Sequence, residues 1–202
     1  SPAVREESEG NMKKSLGALF FIIFFSTALY AADEVVVADF DKGEPPNNLG
    51  GPYGTWNHDP NDDSQGCYFF NEPDDYKDPN NGYCLRLDYD VQSKNPAFNG
   101  FWMKLKGFDA SPFNVLSLWV KGGSEGKFTT RFKLEIKDGE GRRAIYPVEG
   151  VTEAWQEIKI NFKTSKAEMN WKNLAEMVVV FDDILATYKE GTVLIDQVSF
   201  RK

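Results

Sequence analysis

The chain has 202 residues, a formal net charge of −8 and 14% aromatic residues. That acidity argues against nucleic acid and anionic membrane surfaces as partners and leaves sugars, neutral polymers and cations. One histidine, His58, removes most histidine-based catalytic schemes and multi-histidine metal sites.

Residues 1–11 read as an upstream extension before Met12. Met12-Lys13-Lys14 is a basic start, Leu16 to Leu29 an apolar stretch, and Ala31 and Ala32 are small. This is the pattern of a secretory signal over 12–31, cut after Ala31. The apolar run is short for a spanning helix, which needs about 20 residues; an uncleaved anchor is the alternative. Residues 32–202 have the size of one domain. The chain is expected to be secreted, periplasmic or at the cell surface, free of the membrane after cleavage. In that setting Cys67 and Cys84 suggest a disulfide closing a loop of about 17 residues. The alternative is two buried thiols.

Strand patterns then dominate. Val35 to Phe40 opens and Cys67 to Phe70 follows. In Tyr83 to Val91, Leu85, Leu87, Tyr89 and Val91 share a face. In Gly100 to Leu105, Phe101, Met103 and Leu105 oppose Trp102 and Lys104. Val115 to Val120 is almost continuously apolar, as in a strand covered on both faces, which makes Trp119 structural. Lys127 to Lys137 alternates, with Phe132, Leu134 and Ile136 inward and Arg131, Lys133 and Glu135 outward. Asp138-Gly139-Glu140-Gly141 is a turn, and Arg143 to Val148 returns. Trp155 to Phe162, Met177 to Phe181 and Thr192 to Phe200 complete the set, with Trp155 packing under a loop. Only Asn170 to Glu176 suggests a helix. Residues 47–66 and 71–82 are rich in Pro, Gly, Asn and Asp and read as long loops. The expectation is an all-β chain, an antiparallel β-sandwich or jelly roll.

Carboxylates interrupt the first and last strands, at Asp39 and Asp41 and at Asp196. Such groups are costly in a strand bundle without a cation or donor. Either the two strands meet at calcium or these residues end strands at the water line. Asp59-Pro60-Asn61-Asp62-Asp63 superficially resembles an EF-hand start. It lacks glycine at the sixth place and acid at the twelfth, Phe70, so that reading fails. There is no Gly-x-Ser-x-Gly elbow or P-loop. The acid pairs Asp74-Asp75 and Asp182-Asp183 read as solvated, and the chain as no enzyme.

The ordered segments Ala38-Asp39-Phe40-Asp41, Asn48-Leu49-Gly50-Gly51, Gly54-Thr55-Trp56, Leu85 to Val91, Gly100 to Leu105, Leu116 to Gly122, Glu135 to Asp138, Trp155 to Ile160 and Ile195 to Phe200 carry a resemblance. Together they resemble the β-jelly-roll carbohydrate-binding modules of the galactose-binding-like group, closest to family 11. A complex I assembly-factor family shares the domain pattern. The resemblance implies a structural calcium near the joined strands, at Asp39, Asp41 and Asp196. It also implies a poly- or oligosaccharide ligand, β-glucan-like, on the concave sheet. Aromatic faces stack on sugar and polar groups take hydroxyls. The candidates are Arg131, Lys133 and Glu135 with Tyr146 beside them, and Trp102, Tyr76, Tyr83, Trp56 and His58. The competing reading is a structural or assembly subunit of an extracellular filament or surface layer, binding itself or other extracellular proteins.

Overall fold

The computed structural model describes residues 32–73 and 82–202. The expected signal over 12–31, Tyr76 and Asp74-Asp75 lie outside the described residues. The described strands are β1 (Glu34–Ala38), β2 (Tyr53–Asn57), β3 (Gly66–Pro73), β4 (Tyr83–Asp90), β5 (Phe98–Phe108), β6 (Val115–Gly122), β7 (Arg131–Asp138), β8 (Arg143–Glu149), β9 (Gln156–Asn161), β10 (Leu174–Asp182) and β11 (Glu190–Arg201). They form two antiparallel sheets. The first has the order β3-β4-β11-β6-β9, with β1 also on β11; the second is β2-β5-β10-β7-β8. This is the expected β-sandwich.

β11 serves two neighbours along one edge. Glu190 to Ile195 pair with β4, and Val198 to Arg201 pair with β1. The register breaks between Asp196 and Ser199, where Gln197 has φ of +48°. That bulge lets Val193 and Ile195 before it, and Val198 and Phe200 after it, all reach the core.

The core is the alternate residues of both inner faces. Leu85, Leu87 and Tyr89 come from the first sheet, and Phe101, Met103, Phe132, Leu134, Val179 and Phe181 from the second. The Tyr89 and Phe181 rings stack across the sandwich at 4.2 Å. Tyr89 Oη accepts from Thr129 N–H at 2.6 Å and donates to the Tyr188 carbonyl, so its buried hydroxyl is satisfied.

Five expectations need correction. First, residues 53–57 are not loop but edge strand β2. Gly54 hid a strand pattern too short to show alternation. Second, no helix forms at 170–176. Asn173 N–H closes a turn on the Asn170 carbonyl, and Leu174 onward is a central strand paired with both β5 and β7. Pairing on two sides overrides local propensity. Third, the seventh strand begins at Arg131, because Thr129 and Thr130 bond to Thr187 instead. Fourth, β6 buries Leu116, Leu118 and Val120 but turns a half-buried Trp119 outward.

Fifth, Cys67 and Cys84 form no disulfide. Neither is in a disulfide and both are buried. Cys67 faces Tyr89, whereas Cys84 faces Glu72, five residues along β3. At about 3.3 Å per residue that is some 16 Å, far beyond the roughly 7 Å a bridge spans. Burial, and secondarily Asp88, pushes the Cys67 thiol pKa up, so it stays protonated and inert.

Candidate functional site

The outer face of the second sheet is a grid fixed by strand register. One row runs Gly54, Trp102, Val178, Glu135, Ile145 across the five strands. The next runs Trp56, Gly100, Val180, Lys133, Pro147. Lys104, Glu176, Lys137 and Arg143 form a third row, and Phe98 and Asp182 pair in a fourth. The face is therefore divided lengthwise. Rings dominate β2 and β5, where Lys104 Nζ also stands 5.5 Å from the Trp102 ring centroid; Val178 and Val180 floor the centre of β10 between Glu176 and Asp182; and Lys133, Glu135, Lys137 and Arg143 bring charge on β7 and β8. A groove of about 500 Å³ lies over Trp56, Phe98, Trp102, Val178 and Val180.

Each ring is placed by its neighbours. A Cβ on Gly54 would stand 3.1 Å from Trp102 Cζ2, so this glycine lets the indole lie over β2. Trp102 Nε1–H donates to the Thr55 carbonyl at 3.3 Å. Phe98 meets Trp56 edge to face at 5.8 Å and stacks on His58 at 3.9 Å. The Trp56 indole N–H is buried and has no acceptor, an orphan donor on the aromatic side of the groove.

The charges neutralise one another. Glu176 receives Lys137 Nζ at 2.8 Å and also pairs with Lys104. Lys133 Nζ meets Asp182 Oδ2 at 2.6 Å, while Asp182 Oδ1 accepts from Ile184 and Leu185 N–H. Arg143 stands 3.6 Å from Glu135. Burial raises the pKa values of Glu176 and Asp182, but the lysine bonds outweigh it and hold both below their ordinary values. Both are ionised at neutral pH, so neither is a poised general acid.

The structure brings Trp56, Trp102, Lys133 and Glu135 together on this face. His58 and Arg131 lie toward its end, Arg131 facing Glu149 at 3.8 Å. Tyr146 does not belong there. It faces inward, 7% exposed, and its hydroxyl donates to the Phe162 carbonyl at 2.5 Å. Its register partner Leu134 points into the core, which fixes the phase of β8; the outward residues are Arg143 and Ile145. Tyr83 is on the first sheet, at the start of β4 with its ring against Gly43, and is no part of the groove. Sequence reasoning missed Phe98, Glu176, Val178 and Val180. Phe98 shares the phase of Trp102 and was findable by extending that alternation. The valines were hidden in an apolar run.

Asp39, Asp41 and Asp196 are the residues expected at calcium. Asp39 Oδ2 accepts from the Asn48 amide at 2.6 Å and its Oδ1 from Asp41 N–H at 3.3 Å. Asp196 is 1% exposed and accepts from Gln197 N–H. Among the described residues no three acidic, histidine or cysteine side chains form a group able to hold a metal ion.

No family model and no curated protein matches the chain. Solved structures do. The family 11 carbohydrate-binding module of a cellulosomal cellulase of Clostridium thermocellum aligns with a TM-score of 0.62 at 14% identity, over 85% of this chain and 95% of that one. A family 11 module from Clostridium thermocellum in complex with a β-1,3-1,4-mixed-linked tetrasaccharide aligns with a TM-score of 0.61 at 14% identity, over 85% and 96%. A family 30 carbohydrate-binding module gives 0.54 at 15% identity, over 84% and 98%. The chain shares the β-jelly-roll fold of these modules.

Proposed function

We propose that this chain is a non-catalytic carbohydrate-binding domain whose ligand, a neutral β-glucan-like chain, lies in the groove of the second sheet. The observation that carries the reading is the lengthwise division of that groove. Trp56, Phe98 and Trp102 offer flat apolar surface for the C–H face of a pyranose. Beside and opposite them, paired lysines and carboxylates, Lys104 next to Trp102 included, offer fixed donors and acceptors with little net charge, which suits hydroxyls better than an ionic ligand. Glu176 and Asp182 are held ionised beside their lysines, which favours binding over hydrolysis. A similar fold holding a β-1,3-1,4-mixed-linked tetrasaccharide supports the choice of β-glucan.

Export rests on the signal pattern over 12–31 alone. No helix among the described residues is long and apolar enough to cross a membrane.

The test is affinity electrophoresis through gels containing mixed-linked β-glucan, xylan or no polysaccharide. Retardation by β-glucan, abolished in Trp102→Ala, is expected. Equal mobility of the wild-type protein in all gels overturns the reading.

A further inference from the structure

The outer face of the first sheet carries a second set of rings. One row runs Phe70, Arg86, Leu194, Lys121, and its neighbour runs Tyr68, Asp88, Thr192. Tyr68 is 65% exposed and Phe70 52%. Single exposed apolar side chains are ordinary; two adjacent rings beside convergent polar groups are not. The Tyr68 ring lies along β3 over Gly66, where a Cβ would stand 3.4 Å from its Cε2.

The polar groups beside these rings are held in one network. Arg86 grips Asp88 with two parallel bonds, Nε to Oδ1 at 2.8 Å and Nη2 to Oδ2 at 3.0 Å. Its Nη1 reaches Glu72 at 3.2 Å, and Thr192 Oγ1 donates to Asp88 Oδ1 at 2.6 Å. The Arg86 guanidinium also stands over Phe70 at 5.8 Å. A cavity of about 450 Å³ opens beside this network, lined by Glu72, Arg86, Lys121, Lys127, Glu190 and Thr192 among others. Arg86, Glu72 and Asp88 next to the rings are paired with one another, so the ring side of the face favours a hydroxyl-bearing ligand over an ionic one. The bidentate geometry orients the guanidinium before any ligand arrives.

We propose that this face is a second saccharide-binding site. A neutral pyranoside rests its C–H face on Tyr68 and Phe70 and bonds through its hydroxyls to Glu72, Arg86, Asp88 and Thr192. The proposal takes its ligand class from the carbohydrate reading of the groove. Its consequence is distinct. The two faces look away from each other across sheets about 10 Å apart, so one extended chain cannot lie on both. The domain then bridges two polysaccharide chains.

The test is amide NMR of the protein titrated with the mixed-linked β-1,3-1,4-glucan tetrasaccharide, with light scattering of mixtures with long β-glucan. Wild type, Trp102→Ala, the double variant Tyr68→Ala/Phe70→Ala and the milder Thr192→Val are compared. Two groups of amides are expected to shift. The group around Arg86 and Thr192 is at least tenfold less sensitive in the double variant and weakened in Thr192→Val. The group around Val178 is lost only in Trp102→Ala. Wild type clusters long β-glucan and each single-face variant binds without clustering. Shifts confined to the groove, unchanged in the double variant, overturn this proposal and leave the groove reading intact. Shifts on neither face overturn both. Concentration-dependent self-association that the double variant abolishes, without sugar-induced shifts near Arg86, also overturns it, in favour of protein docking.

Discussion

The two outer faces solve the same problem with different depth. On the second sheet Gly54 leaves room for Trp102 over the edge strand, whereas a Cβ at Gly66 would make only ordinary contact with Tyr68. Each sets fixed charges beside the rings. On the second sheet the carboxylates are sunk, with Glu176 and Asp182 side chains 14% and 10% exposed, and the floor is valine. On the first sheet Arg86 and Asp88 side chains are 39% and 32% exposed, so water and salt weaken their pairing. The difference teaches that a sheet's pleat supplies a row of side chains on either side, while burial decides how rigidly that row is held. The groove is expected to bind more tightly, and the opposite face more weakly and with more salt dependence in its Arg86 network.

The largest effect should fall on both faces at once. Phe181 stacks on Tyr89 from the other sheet and also packs on Phe132. Phe181→Ala should lower unfolding free energy by about 3–5 kcal/mol, read from urea denaturation. Loss of binding on one face only would show that the faces do not depend on their shared core.

A smaller effect separates the faces. Gly54→Val should lift Trp102 and cost groove binding about 1–2 kcal/mol, the scale of overpacking, with the opposite face untouched. Gly66→Val, where a Cβ would make only ordinary contact with Tyr68, should change the opposite face less than Gly54→Val changes the groove. Chemical-shift titration of each variant reads the two faces separately, and equal losses on both would break the comparison.

Acid should act on the groove next. The folded pKa values of Glu176 and Asp182 lie below their ordinary values of 4.5 and 3.8. Their contribution is therefore complete above those values and is lost as pH falls through the lowered ones. Thermal unfolding and tetrasaccharide titration should be flat from pH 7 to about pH 5 and decline below about pH 4. A decline beginning near neutrality would contradict the assignment. The smallest effect is expected from reductant. With neither cysteine in a disulfide, it should not move Tm, and a clear drop would contradict that.

Much of this was legible in the chain. Alternation in β5 and β7 put Trp102, Lys133 and Glu135 outward, and the order of segments matched one jelly roll. Tyr146 failed because a hairpin's phase depends on its turn. Asp138 accepts from Glu140 and Arg142 N–H, and the register across that turn sets Tyr146 opposite core-facing Leu134. The signal was present, since Tyr146 shares its phase with buried Ala144 and Val148. Val178 and Val180 were not legible, because an apolar run does not say which side is the core and which the floor of a groove. The ion pairs of Glu176 join strands distant in sequence and depend on register alone. Cysteine count suggested a bridge that only the pairing of β3 with β4 could refuse.

The most direct test of the central claim is isothermal titration of the protein and of Trp102→Ala with the mixed-linked β-1,3-1,4-glucan tetrasaccharide at pH 7. The groove account predicts enthalpic binding by the wild type that weakens roughly 30-fold in the variant, a loss of about 2 kcal/mol at an aromatic anchor, with Tm unchanged. Equal affinity in the two proteins, or no binding by the wild type, would contradict it.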